Sequence, residues 1–244
     1  MKAMILAAGV GSRLRPLTAE TPKALLDVGG APMIERVIHR LTSAGVTEIV
    51  VNLFHLGDRI VDFLASKGNF GLRIEFTREG ELLDTGGGLK HAAWFFDDNR
   101  PFYLHNVDVL SNINLAELLR FHQEASALAT LAVLRRPSSR QLLFDREGRL
   151  CGRTSPEGVE LVRGPIGDVE HLGFTGIHVL DSAIFLRMTE TGIFPITRTY
   201  LRLAGGGERI IAYRADGCYW QDIGSPEKLE AARRHAASSP GETR

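Results

Sequence analysis

The stretch LAAGVGSRLRPLT spans residues 6–18 and overlaps the end of the first apolar run of the chain, Lys2–Ala8. A short apolar run of this kind predicts a buried strand. In open α/β sheets, ligands bind beyond the carboxyl ends of the strands, so the residues that follow the run stand where a site is expected. Small residues let backbone N–H groups reach phosphate oxygens, and Arg13, Arg15 and Lys23 supply positive charge. The stretch therefore predicts a phosphate-binding loop.

Two better-known phosphate-binding motifs do not fit this loop. The dinucleotide-binding fingerprint requires glycine at its sixth position, where this chain has Leu14. The P-loop requires Gly-Lys-Ser/Thr after four intervening residues, and Gly9 is followed by nothing of the kind. A tight turn with solvated arginines stays open as an alternative, since short glycine motifs are common by chance.

Outward from this loop, apolar runs alternate with segments of helical periodicity. The apolar runs predict strands over residues 47–54, 72–77, 101–107 and 127–134. The periodic segments predict helices over residues 33–41, 58–67, 88–96 and 114–123. Because the connections are short, we expect parallel strands joined by right-handed crossovers. The pattern predicts an α/β fold, a single Rossmann-like domain with a mixed, mainly parallel central sheet flanked by helices.

The pattern changes after Arg135. Residues 141–152 predict a hairpin, and residues 153–170 are rich in glycine, proline and charge. Residues 173–180 and 209–214 return to strand patterns, Asp181 suits the cap of a short helix, and a last helix runs from Ser225 to near Ala237. Residues 238–244 are expected to form a frayed tail. The sequence thus predicts one domain over residues 1–237, whose second half adds a lobe that binds an acceptor.

Composition and charge exclude several classes of protein. The 244 residues include 29 Lys+Arg and 29 Asp+Glu, so the formal net charge is zero. A balanced charge argues against binding to nucleic acid or to an anionic membrane through overall electrostatic attraction. Hydrophobic residues make up 44% and charged residues 24%, as in folded globular proteins. The two cysteines form no CxxC pair and indicate a reducing compartment. Since neither a signal peptide nor a membrane span is recognisable, we expect a soluble cytoplasmic protein.

The loop resembles the opening pattern of a known family, the sugar-nucleotide pyrophosphorylases, which are nucleotidyltransferases acting on sugar 1-phosphates. That pattern, LAAGxGxRLxPLT followed by a PK pair, is matched by residues 6–18 and by Pro22-Lys23. The similarity continues through residues 84–88, 106–110 and 220–226, so it covers nearly the whole chain. It implies that a nucleoside triphosphate and a sugar 1-phosphate react to give an NDP-sugar and pyrophosphate.

The same resemblance implies how the substrates are distributed over the chain. Residues 1–135 would form the nucleotide-binding half and residues 136–237 the sugar-phosphate-binding half. Arg13 and Lys23 would contact the phosphates and act in catalysis together with Asp108. The loop residues implied as nucleotide contacts are Leu6, Ala7, Ala8, Gly9, Gly11, Ser12, Arg13 and Lys23.

Two aspartates are candidate metal ligands. Asp108 lies in HNVDVL, residues 105–110, and Asp222 lies in YWQDIGSP, residues 219–226. Taken alone, each fits a turn or a helix cap at least as well as a metal site. The family resemblance pairs them as the two residues that hold one Mg²⁺. This ion suits two carboxylates plus waters and phosphate oxygens, whereas the eight histidines show no metal-binding spacing.

The segment EGELLDTGGG, residues 79–88, resembles the base-and-ribose segment of the family. The resemblance implies nucleotide contacts from Glu79, Thr85 and Gly86, and a further one from Asn106. Three glycines allow close approach of a planar base, although a flexible loop with a helix cap is the alternative. A carboxylate only accepts hydrogen bonds, so Glu79 suits an N–H of uracil or guanine better than the bare ring nitrogen of cytosine. Thymine stays possible.

The acceptor side is less clearly marked. GFTGIH, residues 173–178, resembles the strand that carries sugar contacts in the family, which implies Thr175 and Gly176 as contacts. Many relatives carry a Glu-Lys-Pro triplet before that strand, where this chain has Glu160-Leu161-Val162-Arg163. Glu160 is kept as a candidate sugar-phosphate contact, and Arg163 as a substitute for the lysine. A solvated loop is the alternative for both residues.

Within the family, the chain is similar to two groups of short members. The first expectation is an N-acetylmuramic acid-1-phosphate uridylyltransferase of peptidoglycan recycling, using UTP. The second is a mannose-1-phosphate guanylyltransferase, using GTP. Cytidylyl transfer is disfavoured by Glu79, and a non-catalytic NDP-sugar sensor is disfavoured because Arg13, Lys23, Asp108 and Asp222 are all present. We expect a monomer or a homodimer, with no nucleic acid or membrane as partner.

Overall fold

Strands and helices alternate over residues 1–138 and 140–238, which are the residues that the computed structural model describes. The strands are β1 (Lys2–Leu6), β2 (Asp27–Val28), β3 (Ala31–Pro32), β4 (Glu48–Leu53), β5 (Arg73–Arg78), β6 (Phe102–Asn106), β7 (Val109–Ser111), β8 (Ala129–Leu134), β9 (Gln141–Phe144), β10 (Leu150–Ser155), β11 (Gly158–Leu161), β12 (Glu170–Leu180), β13 (Ile210–Arg214) and β14 (Trp220–Asp222). The helices are α1 (Met33–Ser43), α2 (Gly57–Ser66), α3 (Asp84–His91), α4 (Leu115–Glu124), α5 (Ile184–Arg187), α6 (Ile196–Gly205) and α7 (Pro226–Ser238).

No helix in these described ranges is long and apolar enough to cross a membrane. The predicted last helix is confirmed as α7, which continues through Ser238. The rest of the predicted frayed tail, residues 239–244, lies outside the described residues.

Two compact units make up the chain, and each draws on separate stretches of sequence. Of the described residues, the first contains Met1–Leu82, His105–Leu115 and residues 218–238, and the second contains Leu83–Leu104 and residues 116–138 and 140–217. These units are defined by contacts, whereas the predicted nucleotide and sugar-phosphate halves are defined by ligands. The two predicted halves therefore stay predictions.

A parallel arrangement of strands forms the framework of the first unit. β1 pairs with β4 and β4 pairs with β5, both in parallel, with Leu6 opposite Asn52 and Asn52 opposite Thr77. The strands are joined through α1 and α2, as the alternating pattern predicts. Because the strands run in the same direction, their carboxyl ends meet at one edge, where ligands bind in open α/β sheets.

An apolar cluster in the first unit ties together segments that are distant in sequence. Leu14 comes from the loop after β1, Leu110 from β7, Ile223 from the position after β14 and Leu229 from α7. Burying each such side chain contributes about 1.5–3 kcal/mol. The cluster thus fixes the backbone on either side of the candidate polar residues. Its other members, all buried, are Leu26, Val28, Met33, Ala232 and Ala236.

The strands of the second unit are mostly antiparallel. β12 pairs with β8 and β9, β9 with β10, and β10 with β11, all antiparallel, while β13 pairs with β8 in parallel. Antiparallel strands can follow one another through tight turns, which explains the short connections of this region. The predicted α/β class, with a mixed, mainly parallel central sheet flanked by helices, is confirmed, and the first unit contributes the parallel pairs of β1 with β4 and of β4 with β5.

Two helices differ from the expectations drawn from the sequence. The helix predicted over residues 88–96 begins earlier, as α3 at Asp84. No helix was predicted over α6, which contains the β-branched or aromatic residues Ile196, Thr199 and Tyr200 with weak helix propensity. All three are buried in the second unit, so tertiary packing rather than propensity stabilises α6.

Packing accounts for the glycines that open α3. The N–H groups of Gly86 and Gly87 both donate to the carbonyl oxygen of Phe194, at 2.9 and 3.2 Å. A Cβ on Gly86 would collide with the Phe194 ring, and a Cβ on Gly87 would lie 2.7 Å from the carbonyl oxygen of Gly192. Within the second unit, close approach of Phe194 therefore requires a residue without a side chain at position 86.

We expect Gly86→Ala to lower the free energy of unfolding by about 1–3 kcal/mol, because the added methyl group overpacks the contact with Phe194. Urea denaturation measures the change. Gly80→Ala is the matched control, since no atom lies within 4 Å of its Cβ position. The control should be neutral or slightly stabilising. Equal destabilisation of both variants would contradict this explanation of Gly86.

Candidate phosphate and metal site

The loop after β1 presents unpaired backbone donors. Gly11 has a φ of 67°, a left-handed conformation that favours glycine. Its carbonyl oxygen accepts hydrogen bonds from the N–H of Leu14 at 2.9 Å and from Oγ1 of Thr18 at 2.8 Å. In the described part of the chain, the N–H groups of Gly9, Val10 and Gly11 donate to no protein group. Three consecutive donors of this kind are suited to an anion.

Lys23 lies against this loop and is paired with Asp108. The Cβ of Lys23 is 3.5 Å from the position that a Cβ of Gly11 would take. Its ammonium group donates a hydrogen bond to Oδ2 of Asp108. The residue before this aspartate, Val107, donates its N–H to the carbonyl oxygen of Leu6 at 3.1 Å. Lys23 and Asp108 thus meet at the carboxyl end of β1.

Main-chain pairing brings Asp222 beside Asp108. β14 ends at Asp222 and pairs antiparallel with β7, so that Asp222 stands opposite Val109. The N–H of Ile223 then donates to the backbone carbonyl oxygen of Asp108 at 3.0 Å. The two aspartates that the sequence singles out therefore come from adjacent, hydrogen-bonded segments of the first unit.

Lys228 joins the site, although the sequence interpretation missed it. Its Nζ donates to Oδ2 of Asp222 at 2.5 Å, and the N–H of Gly224 donates to Oδ1 at 2.9 Å. Burial favours the neutral acid, yet Lys228, the Gly224 N–H and the charge of Lys23 hold the pKa of Asp222 below its usual value. The sequence does contain one indication of this role. Lys228 lies in the first turn of α7, where the helix dipole disfavours a cation, so a nearby anion is expected to hold it there.

The guanidinium group of Arg13 packs against Gly224. A Cβ at position 224 would lie 2.9 Å from Nη2 of Arg13 and 2.6 Å from Oδ1 of Asp222. Any larger residue would displace one of these two groups, so close approach explains the glycine of the WQDIG segment. The residue after Arg13, Leu14, is 1% exposed and anchors the loop in the apolar cluster. The predicted Arg13 therefore lies at the same site as the aspartates.

The paired carboxylates fit a magnesium ion. Over the described residues, no group of three or more His, Cys, Asp or Glu side chains could hold a metal. Mg²⁺ is usually held by one or two carboxylates, with waters and phosphate oxygens as the remaining ligands. Asp108 and Asp222 supply such a pair, and each already has an ammonium group as its counter-charge. This donor set suits Mg²⁺ bound together with a phosphate.

Glu79 is held by an amide that the sequence interpretation also missed. It follows β5 and is 7% exposed. Nδ2 of Asn52 donates to Oε1 of Glu79 at 2.7 Å, while Oδ1 of Asn52 accepts the N–H of Ala7 at 2.7 Å. Asn52 thereby connects the loop after β1 to the carboxylate predicted to read the base. The sequence feature that could have identified Asn52 is its position as a polar residue within the apolar run EIVVNL of β4.

The remaining predicted nucleotide contacts of the first unit lie at the end of β1, in the loop that follows it, or at the end of β6. Asn106 ends β6, and its carbonyl oxygen accepts a hydrogen bond from Nδ1 of His105 at 2.8 Å. Burial lowers the pKa of His105 to about 4, so this imidazole is neutral at physiological pH. These contacts are Leu6, Ala7, Ala8, Ser12 and Asn106.

Thr85 and Gly86 belong to the second unit and have partners there. Oγ1 of Thr85 accepts the N–H of Ile196 at 2.9 Å, and the N–H of Thr85 donates to Oδ1 of Asp84 at 2.6 Å. Together with the bond from Gly86 to the carbonyl of Phe194, these contacts fix the start of α3. The predicted nucleotide roles of Thr85 and Gly86 stay predictions.

The predicted acceptor residues also lie in the second unit. Oγ1 of Thr175 donates to the carbonyl oxygen of Ala132 at 2.7 Å. Gly176, with a φ of 80°, falls where the pairing of β12 with β8 is interrupted by a bulge. Oε2 of Glu160 accepts a hydrogen bond from Nε of Arg153 at 2.6 Å on the exposed β11. These contacts give the residues structural roles, and their sugar-phosphate roles stay predictions, as does that of Arg163.

Comparison with known proteins assigns the family. A model described as nucleotidyl transferase matches residues 2–144. The chain belongs to the nucleotidyl transferase family. The mannose-1-phosphate guanyltransferase of Gibberella zeae is 32% identical over 233 residues, which cover 93% of this chain and 62% of that protein. The mannose-1-phosphate guanyltransferase of Yarrowia lipolytica is 32% identical over 234 residues, which cover 93% and 61%. This family member thus spans about three fifths of the length of these relatives.

Solved structures of similar proteins share the fold. A putative glucose-1-phosphate thymidylyltransferase from Bacillus anthracis superposes with a TM-score of 0.81 at 21% identity, covering 97% of this chain and 95% of that one. A UDP-glucose pyrophosphorylase from Acinetobacter baumanii superposes with a TM-score of 0.80 at 18% identity, covering 99% and 95%. These likenesses support the α/β architecture of the family member and carry no argument about its substrate.

We expect Asn52→Ala to lower the free energy of unfolding by about 2–4 kcal/mol, because the buried Glu79 carboxylate and the Ala7 N–H lose a partner. Chemical denaturation measures the loss. Gln123→Ala, at an exposed position of α4, is the control and should stay within about 0.5 kcal/mol of the wild type.

Asn52→Asp distinguishes the contribution of the hydrogen bond with Ala7 from that of the hydrogen bond with Glu79. It keeps an acceptor for the N–H of Ala7 but places a second carboxylate against Glu79. We expect its stability deficit to be larger at alkaline pH than at mildly acidic pH, where one of the two carboxyl groups is protonated. Wild-type stability of both Asn52 variants would show that this amide does not hold Glu79.

Proposed function

We propose that this protein transfers a nucleotidyl group from a nucleoside triphosphate to a sugar 1-phosphate and releases pyrophosphate. The observation that carries the proposal is the main-chain bonding that sets the segments of Asp108 and Asp222 next to each other, beside the loop that presents three unpaired N–H groups. Lys23 and Arg13 add two cationic side chains at the same place. Such a site can gather and neutralise several phosphate groups, and membership of the nucleotidyl transferase family supports this reading.

The reaction requires alignment and charge neutralisation more than proton transfer. An oxygen of the sugar 1-phosphate forms a bond to the α-phosphorus, and the bond from that phosphorus to the bridging oxygen of pyrophosphate breaks. The nucleophile is already an anion, so no general base is needed. Repulsion between the two phosphates dominates the barrier. In the proposed mechanism, the N–H groups of Gly9–Gly11, Arg13 and Lys23 stabilise the charge that develops on the leaving pyrophosphate.

Asp108 and Asp222 are the residues that would hold Mg²⁺. This ion would supply positive charge that offsets the repulsion between the substrate phosphates. The low pKa of Asp222 keeps this carboxylate ionised and ready to bind a cation. The hydrogen bond from Ile223 keeps the backbone of Asp108 in place while its side chain changes partner.

For the substrates, we propose GTP and mannose 1-phosphate. The relatives that are 32% identical are named mannose-1-phosphate guanyltransferases, which supports the second of the two expectations from the sequence more than the first. Glu79 agrees with guanine, because a carboxylate can accept the N1–H and N2–H donors of that base. Uracil also offers an N–H, so UTP with N-acetylmuramic acid 1-phosphate is the second candidate. A monomer or homodimer in the cytoplasm stays our prediction for assembly and location.

Pyrophosphate release from a matrix of four nucleoside triphosphates and four sugar 1-phosphates tests the proposal. The sugars are mannose, glucose, glucosamine and N-acetylmuramic acid. We expect the highest kcat/KM for GTP with mannose 1-phosphate. A preference for UTP with N-acetylmuramic acid 1-phosphate would contradict the proposed substrates but would still support the proposed reaction. If no pair released pyrophosphate, the reaction itself would be wrong and a non-catalytic NDP-sugar sensor would be favoured.

We expect Asp108→Asn to reduce kcat by about 100- to 1,000-fold, because a neutral amide is a poor magnesium ligand and cannot pair with Lys23. Steady-state kinetics on the best substrate pair measures the loss, and circular dichroism checks the fold. Asp62→Asn, at an exposed position of α2, removes the same charge from the first unit and should leave kcat unchanged. Near-normal turnover of Asp108→Asn would contradict the assigned role.

A further inference from the structure

The two lysines at the site differ in how tightly they are enclosed. Lys23 pairs with Asp108, and its side chain is 11% exposed. Lys228 pairs with Asp222, and its side chain is 46% exposed. Lys23 also packs against the loop after β1, as its distance to Gly11 shows. Of the two ammonium groups, that of Lys228 can therefore leave its carboxylate with the smaller change in packing.

The backbone of Lys228 is fixed, whereas its partly exposed side chain is held, among the residues that the structure describes, only by the ion pair with Asp222. The next residue, Leu229, is 1% exposed within the apolar cluster and donates its N–H to the carbonyl oxygen of Ser225 at 2.9 Å. A lysine side chain has a flexible four-carbon stem and can reorient about a fixed Cα atom. Because the first turn of α7 repels a cation, Asp222 is the group that keeps the ammonium in its present place.

A divalent cation and Lys228 compete for the same oxygen. Oδ1 of Asp222 accepts the N–H of Gly224, and Oδ2 accepts the ammonium of Lys228. A metal ion on Oδ2 would repel the ammonium at close range, so the two cannot keep their positions together. An ammonium group only donates hydrogen bonds and must then find another acceptor. With both substrates bound, phosphate oxygens are the strongest acceptors at the site.

We infer that Lys228 is an exchangeable counter-ion, which neutralises Asp222 until a divalent cation binds there and then binds a phosphate group of a substrate. The identity of that phosphate rests on the proposed function, whereas the competition with the metal does not. Sugar 1-phosphate and nucleoside triphosphate offer the same phosphate chemistry. Kinetic measurements therefore decide which of the two substrates Lys228 binds.

Mn²⁺ alone, with free ion measured by electron paramagnetic resonance, is the first probe. We expect Lys228→Gln to bind Mn²⁺ about two- to five-fold more tightly than the wild type, because a competing, partly exposed ion pair is removed. Lys228→Arg keeps the charge and should stay near the wild type. Arg234→Gln removes a positive charge at an exposed position of the same helix and should have little effect. If the Mn²⁺ affinity of Lys228→Gln equals that of the wild type or of Arg234→Gln, the inferred competition between Lys228 and the metal is wrong.

Substrate kinetics is the second probe. We expect Lys228→Gln to raise the KM of one phosphate substrate by about 10- to 100-fold, because a charge-assisted hydrogen bond is lost, and Lys228→Arg to recover most of the affinity. A rise confined to the sugar 1-phosphate, or one confined to the nucleoside triphosphate, supports the inference and identifies the substrate. If neither KM changes, Lys228 does not bind phosphate and the inference is wrong.

The two proposals fail in different ways. Failure of the proposed function appears as a wild-type protein that releases no pyrophosphate from any substrate pair. Inorganic pyrophosphate then replaces the substrates as the probe, and weaker binding by Lys228→Gln than by Arg234→Gln supports the inference. Equal binding by these two variants overturns it. The Mn²⁺ result keeps its meaning in either case.

Discussion

Main-chain hydrogen bonds between β7 and β14 hold the segments that carry two carboxylates next to each other at the end of a buried parallel framework. Asp108 and Asp222 are far apart in the chain, and each alone would be an ordinary turn residue. The bond from the Ile223 N–H to the Asp108 carbonyl oxygen makes them neighbours. Neighbouring carboxylates repel each other unless cations are close, so the positions of the surrounding basic side chains follow from this pairing.

Hydrophobic burial keeps these charges in place. Four of the five charged groups of the site are followed within two residues by a buried apolar side chain of one cluster: Leu14 follows Arg13, and Leu110, Ile223 and Leu229 follow Asp108, Asp222 and Lys228. The cluster member after Lys23 is Leu26, three residues further on. The cluster fixes the main chain, while the polar groups face the place where the anions are proposed to bind. Because the main chain is ordered by apolar packing when the protein folds, little further conformational entropy is lost when the charged side chains bind a ligand.

The sequence predicted those features that depend on local pattern. The strand–loop start, the glycine at position 11 and the two aspartates all stand in recognisable stretches, and the structure brings Arg13, Lys23, Asp108 and Asp222 together. Asn52 could not be placed, because its partners Ala7 and Glu79 are far away in the chain, whereas Lys228 was missed although its partner Asp222 is only six residues away. At position 86 the pattern suggested ligand approach; in the second unit the ring of Phe194 lies where a side chain would be, and the nucleotide contact of Gly86 stays a prediction.

The amide of Asn52 has a consequence for how this site can diverge. A single side chain satisfies both the main chain of the phosphate loop at Ala7 and the carboxylate of Glu79. With Glu79 as the proposed base contact, a replacement that suits another base changes the polarity that Asn52 must match, and a rotated amide would present a donor to the Ala7 N–H. We therefore expect positions 52 and 79 to be epistatic, so that a new nucleobase preference requires changes at both or a replacement that spares the shared amide.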